Sequence, residues 1–112
     1  MGSSLHQVKA EFFRTLGHPV RIRVLELLSQ REHSVGEMLH RLDQPAPNLS
    51  QQLAILRRAG LVTTRRQGSS IYYSLISTEI ADLMAVARSI LTGVLTEQAT
   101  LLTTLRSDAP ES

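Results

Sequence analysis

The chain has 112 residues, a formal net charge of +2 and no cysteine, and this length fits one domain, residues 1–112. The lack of cysteine excludes disulfides, cysteine-ligated metal sites and thiol redox switches. No apolar run approaches the roughly 20 residues that cross a bilayer. Because 42% of the residues are hydrophobic and 20% are charged, we expect a folded cytoplasmic protein with no membrane partner.

The first apolar repeat predicts an amphipathic helix over about residues 5–17. Its inward positions are Leu5, Val8, Phe12 and Leu16. Gly17 and Pro19 are typical of a helix end followed by a helix start. The apolar segment after Pro19 predicts a second, mostly buried helix that ends near Gln30.

A helix-turn-helix pattern follows the second helix. Ser34 and Glu37 have the spacing of a capping box, which predicts a short third helix within residues 34–43. A proline-containing turn, residues 44–46, separates it from a fourth helix over 47–59. The inward leucines of the fourth helix are Leu49, Leu53 and Leu56. The second helix of such a pair is the one that fits the major groove of DNA.

The residue types change after the fourth helix. Two segments rich in β-branched and aromatic residues flank Gln67-Gly68-Ser69-Ser70 and predict a β-hairpin over residues 61–76. A hairpin after a helix-turn-helix is the wing of a winged helix-turn-helix. The predicted fold is therefore mainly α with a small β-hairpin, in the order α1-α2-α3-α4-β-β-α5, and residues 34–76 form its DNA-reading part.

A final helix is predicted over about residues 78–106. Its apolar stripe extends over roughly 26 residues, about 39 Å, whereas a domain of this size has a radius of gyration of about 13 Å. The stripe must therefore be covered by a second copy of the chain or by the helix folding back over its own domain, and we favour the homodimer. The predicted interface residues are Leu5, Val8, Phe12, Ile90, Leu91, Val94, Leu95, Leu101 and Leu102.

The charges are unevenly distributed along the chain. Residues 44–78 carry four arginines and no acid, whereas residues 79–112 have a net charge of −3. An acid-free basic segment favours a polyanionic partner such as double-stranded DNA, although scattered arginines on a solvated face would give the same count.

Polar side chains on the fourth helix and on the hairpin are the candidates for DNA contacts. We expect four residues of the fourth helix to face outward or to flank that face and to read bases: Asn48, Ser50, Gln51 and Gln52. Arg65, Arg66 and Ser69 of the wing would bind the phosphate backbone. Arg57 would bind DNA from the far end of the helix, although cations there also stabilise a helix C-terminus.

Two stretches resemble the ArsR/SmtB family of bacterial transcription regulators. The run Phe12 to Leu25, FFRTLGHPVRIRVL, is similar to the opening signature of the family, and Asn48 to Val62, NLSQQLAILRRAGLV, resembles its recognition helix and the exit into its wing. Gly68 with Tyr72-Tyr73-Ser74-Leu75 resembles the wing itself. The resemblance covers about residues 8–95 and implies a homodimer, formed through the first and last helices, that binds a pseudo-palindromic operator and usually represses transcription.

The sequence departs from the metal-sensing members of that family. Ser34 and Gly36 stand where many members have a Cys-x-Cys motif, and residues 77–112 contain no histidine. We therefore expect no cofactor and no family metal site. One alternative metal site remains, because His33, Glu37 and His40 would share a helical face if the third helix began before Ser34.

The sequence also bears on two other classes of function, an enzyme and a protein–protein adaptor. An enzyme is not expected, because the sequence has no nucleophile–base pair, no glycine-rich phosphate loop and no catalytic metal cluster. The alternative to a DNA-binding regulator is a winged-helix protein–protein adaptor or a regulator controlled by a partner protein. The sequence identifies neither an effector nor such a partner.

Overall fold

The computed structural model describes residues 4–107, and it contains the predicted helices and hairpin together with one additional short strand. The elements are α1 (Leu5–Leu16), α2 (Pro19–Gln30), β1 (His33–Ser34), α3 (Val35–Leu42), α4 (Ala46–Arg58), β2 (Val62–Gln67), β3 (Ser70–Leu75) and α5 (Thr78–Ser107). The chain divides into two compact units after Ala81, within α5. The first unit holds every other element, and the second unit contains the remainder of α5.

Side-chain caps fix the starts of the first three helices. Ser4 and Gln7 form a capping box at the start of α1, and Nδ1 of His18 accepts a hydrogen bond from the amide of Val20 at the start of α2. The predicted capping box of Ser34 and Glu37 is present at the start of α3. In contrast, α4 begins after Pro45 without a side-chain cap. These caps satisfy amide groups that have no partner within the helix.

The hairpin belongs to a three-stranded antiparallel sheet with the strand order β1-β3-β2. The predicted segments pair through six residues each, from Val62 opposite Leu75 to Gln67 opposite Ser70. Gly68 occupies the left-handed region (φ +61°) in the tight turn between them. The strand β1 was not predicted, because two residues are too few to show an alternating pattern and Ser34 also caps α3.

The core of the first unit lies between α2, α3 and α4. The fully buried apolar side chains are Val24, Leu25, Met38, Leu49, Leu53 and Leu56. The three predicted inward leucines of α4 are among them, so the orientation of that helix is confirmed for its apolar side. This packing turns the opposite side of α4 toward solvent.

Most of the large apolar side chains of α5 are exposed. The helix has 30 residues, which corresponds to about 45 Å. Its large apolar side chains from Ile90 onward are between 44% and 62% exposed. In α1, Leu5 and Val8 are also exposed, whereas Phe12 is half-buried.

A candidate nucleic-acid interface on α4 and the hairpin

The solvent-facing side of α4 carries polar residues with exposed amide and hydroxyl groups. Ser50 and Gln51 are exposed and Asn48 is half-buried, while Leu49 and Leu53 of the same helix are buried in the core. We call Asn48, Ser50 and Gln51 the outer face of α4. Its side chains combine hydrogen-bond donors with acceptors, which is the property needed to read base edges.

Gln52 does not belong to that face, and the expectation that it points outward is wrong. Its position, three residues after Leu49 and four before Leu56, lies on the buried stripe of α4, and the side chain is only 6% exposed. Nη1 of Arg21 on α2 donates a hydrogen bond to its Oε1 at 2.7 Å. Burial of an amide without a partner is costly, and the guanidinium group provides that partner. The two residues are 31 positions apart in the sequence, so helical periodicity alone could not reveal the contact.

Gln52 is also connected to the outer face of α4. Its Nε2 donates to Oδ1 of Asn48 at 3.4 Å, and Nδ2 of Asn48 donates to Oε1 of Gln44 at 2.8 Å. A line of side-chain hydrogen bonds therefore runs from Arg21 through Gln52 and Asn48 to Gln44. Asn48 is held in place at both ends of its amide group.

Arg65 in the hairpin forms an ion pair with Glu32, which lies outside the hairpin. Nε of Arg65 donates to Oε2 of Glu32 at 3.0 Å, and its Nη1 donates to Oε1 of Gln67 at 2.7 Å. The hydroxyl of Ser74 also donates to Glu32. The hydrogen bond from Arg65 lowers the pKa of Glu32, and Glu32 in turn raises the pKa of Arg65. The basic segment is therefore acid-free in sequence only, because folding brings Glu32 to it.

The side chains of the other residues predicted to bind DNA are exposed and form no hydrogen bond or ion pair within residues 4–107. They are Arg66 on β2, Ser69 in the turn of the hairpin and Arg57 in the last turn of α4. Arg58 is exposed beside Arg57. These side chains provide cationic and hydroxyl groups that are free to meet an anion.

The alternative metal site is not assembled in the structure. His33 is fully buried, and its Nδ1 donates to the carbonyl of Arg31 at 2.9 Å. Glu37 is occupied by the capping box and by an ion pair with Arg31, while His40 is exposed. Among the described residues, no three histidine, cysteine or acidic side chains lie close enough to hold one ion. The hypothesis failed because α3 begins after Ser34, so His33 is not on the helix.

From residue 4 to residue 107, no helix combines the length and the apolar character that a membrane crossing requires.

Similarity to known proteins agrees with this geometry. Residues 16–65 match the family model of a helix-turn-helix domain. The chain is 51% identical over 104 residues to the uncharacterized HTH-type transcriptional regulator Rv0081 of Mycobacterium tuberculosis, which covers 92% of this chain and 91% of that protein. It is 45% identical over 75 residues to the biofilm growth-associated repressor of Agrobacterium fabrum, covering 67% of this chain and 64% of the repressor.

Solved structures show the same architecture. The crystal structure of M. tuberculosis Rv0081 superimposes with a TM-score of 0.81 at 50% identity, over 88% of this chain and 99% of that one. The transcriptional repressor BigR of Xylella fastidiosa superimposes with a TM-score of 0.69 at 40% identity, over 72% of this chain and 83% of BigR. The expected fold class is thereby confirmed. The chain belongs to the winged helix-turn-helix transcriptional regulators of the ArsR/SmtB type, and it is a DNA-binding regulator of transcription rather than an enzyme.

Proposed function

We propose that the protein acts as a homodimer that binds a pseudo-palindromic operator in the cytoplasm and represses transcription. The observation that carries this proposal is the orientation of α4, whose leucines are buried while Ser50 and Gln51 are exposed. A helix held in this way can enter the major groove without disturbing the core. Repression is favoured because two relatives are named repressors, those of A. fabrum and X. fastidiosa.

We assign base reading to the outer face of α4, namely Asn48, Ser50 and Gln51. Gln52 is reassigned from reading bases to positioning, since its amide is buried and bound to Arg21. Arg57, Arg66 and Ser69 are assigned to the phosphate backbone, because their side chains are exposed and, across residues 4–107, form no hydrogen bond or ion pair. Arg65 reaches a phosphate only if it leaves Glu32.

Exposed apolar side chains on α1 and α5 support the proposal of a dimer. Most of the predicted interface residues are more than half exposed: Leu5, Val8, Ile90, Leu91, Leu95, Leu101 and Leu102. Val94 is 44% exposed. Burial of such side chains stabilises by about 25 cal/mol per Å² of apolar surface, so an interface with a second copy of the chain would be favourable. Two copies would present two α4 helices to DNA sites about one helical turn apart, ~10 base pairs.

The test is selection of a sequence followed by a salt titration. The chain is used to enrich duplexes from a randomised library, and the fluorescence anisotropy of an enriched duplex and of a scrambled duplex is measured at several salt concentrations. We expect an enriched motif with two related half-sites, and an affinity that falls steeply with salt. Absence of any enriched motif, or binding indifferent to salt, would favour the protein–protein adaptor instead.

A further inference from the structure

We propose that Arg21, which lies outside α4, is a positioning residue that makes Asn48 selective for adenine. This inference rests on the proposed function, because it concerns how the outer face of α4 reads DNA. The pathway is the line of hydrogen bonds from Arg21 through Gln52 to Asn48. All of these residues belong to the first compact unit.

Arg21 is anchored before it reaches Gln52. Its Nε donates to the carbonyl of Thr15 at 2.6 Å, and its Nη2 donates to the carbonyl of Arg14 at 3.5 Å. Both carbonyls lie in the last turn of α1, where a helix carries a partial negative charge, and the carbonyl of Arg14 also accepts from the amide of Gly17. The guanidinium group is planar and rigid, so anchoring one edge fixes the direction of the Nη1 that meets Gln52.

The anchored guanidinium group determines which way the amide of Gln52 points. Since Arg21 can only donate, the oxygen of Gln52 must face it, and the nitrogen of Gln52 is then directed to Oδ1 of Asn48. The nitrogen of Asn48 accordingly faces Oε1 of Gln44. Each amide along the line is held in one of its two orientations, and burial of Gln52 makes the opposite orientation unfavourable.

The remaining capacity of Asn48 matches one base. An asparagine amide has two N–H donors and an oxygen with two lone pairs, and these contacts use one donor and one lone pair. One donor and one acceptor are left, the combination that pairs with N7 and the N6 amino group of adenine in the major groove. If the amide of Asn48 were turned over, the free donor and acceptor would exchange places and lose that match.

Two variants separate positioning from simple structural support. Arg21→Met removes the anchor, and Arg23→Met is its matched control, because Arg23 is an exposed arginine on the same helix. Gln52→Glu retains the oxygen that Arg21 binds but replaces the nitrogen that donates to Asn48. It therefore preserves the link between α2 and α4 while turning the Asn48 amide over.

The experiment repeats the enrichment from a randomised duplex library with the wild type, these three variants and Asn48→Ala. Thermal unfolding of each variant shows that it is folded. Asn48→Ala identifies the base pair that Asn48 reads. At that pair we expect Arg21→Met and Gln52→Glu to lower the preference for adenine on the order of tenfold. Preferences at other positions should remain, as should all preferences of Arg23→Met.

The outcomes distinguish failure of the positioning role from failure of the proposed function. Combining Arg21→Met with Asn48→Ala should cause no further loss at that base pair, because both changes remove the same contact. Retention of the adenine preference in folded Arg21→Met and Gln52→Glu, or an equal loss at every position, would overturn the positioning role while leaving the proposed function intact. If the wild type enriches no motif, the proposed function and this inference fail together.

Discussion

Arg65 and Tyr72 face each other across β2 and β3, and Cζ of the Arg65 guanidinium group lies 4.6 Å from the centroid of the Tyr72 ring. The same guanidinium group donates hydrogen bonds to Glu32 and to Gln67. The aromatic ring and the carboxylate together hold the arginine against the hairpin. Before it meets DNA, Arg65 therefore has partners that Arg66 lacks within the described part of the chain.

Neutralising Glu32 should strengthen DNA binding. Glu32→Gln removes a carboxylate that competes with phosphate for Arg65, so we expect roughly fivefold tighter binding to any duplex at low salt. The salt dependence should steepen by about 0.9, as one more phosphate is neutralised. Anisotropy titrations over a range of salt concentrations measure both quantities.

Glu97→Gln is the matched control for that prediction, because it removes the same charge from an exposed position on α5. Equal effects of the two substitutions would mean that only net charge matters. If Glu32→Gln bound DNA more weakly than the wild type, Arg65 would need the carboxylate of Glu32 to hold it where it contacts DNA.

Truncation of Gln51 should reduce sequence preference without reducing general affinity. Gln51 is exposed on the outer face of α4, and loss of a bidentate base contact costs about 1–3 kcal/mol. We therefore expect Gln51→Ala to weaken binding to the enriched duplex and to leave binding to the scrambled duplex nearly unchanged. Gln30→Ala, at the exposed end of α2, is the control. Unchanged affinity of Gln51→Ala for both duplexes contradicts the assigned role.

Two histidines of the rejected metal site should differ in their effect on stability. His33 is fully buried and donates to the carbonyl of Arg31, whereas His40 is exposed. His33→Ala leaves a cavity and an unpaired carbonyl, so we expect a loss of about 2–3 kcal/mol in the free energy of unfolding. His40→Ala should change it by no more than about 0.5 kcal/mol. Urea denaturation at neutral pH measures both, and similar losses would contradict the burial of His33.

The capping box of α3 should make the free energy of unfolding depend on pH in the acidic range. The amide of Ser34 and then the side chain of Arg31 lower the pKa of Glu37 from 4.5 to about 2. A lowered pKa means that the folded state binds the proton less readily than the unfolded state, so this contribution is complete above pH 4.5 and declines as the pH falls toward 2.

Glu37→Gln tests this dependence, because glutamine also completes a capping box but does not titrate. We expect the difference in unfolding free energy between wild type and Glu37→Gln to shrink from about pH 5 to pH 2. The remaining acids titrate in both proteins and cancel. A difference that stays constant over this interval would show that Glu37 is not held as a charged group.

Local patterns predicted most of the elements. The regular apolar repeat predicts a first helix from about residue 5, and α1 begins at Leu5, where Ser4 caps it. The Ser34 and Glu37 pair located the start of α3. The bounds of α4 shifted by only one residue at each end, to Ala46 and Arg58. These features depend on residues within four positions of one another.

Contacts between distant residues could not be predicted in the same way. Gln52 lies on the buried stripe of α4 by its spacing from Leu49 and Leu56, but its bond to Arg21 joins residues 31 positions apart. Glu32 and Arg65 are 33 positions apart, so a count of charges by sequence segment places them in different segments. The predicted orientation was therefore correct for the exposed residues Ser50 and Gln51. It was wrong for Gln52, a polar residue that helical spacing places beside Leu49 and Leu56.

The most direct test of the proposed function is the number of chains on one operator. Sedimentation velocity of a fluorescent enriched duplex with increasing protein reports the mass added to it. Each chain has a mass of 12.4 kDa, and we expect the free protein to sediment as a dimer and each duplex to bind two chains together. A folded monomer that adds a single chain to the duplex, or a protein that leaves the duplex unbound, would contradict the account of a dimer with paired α4 helices.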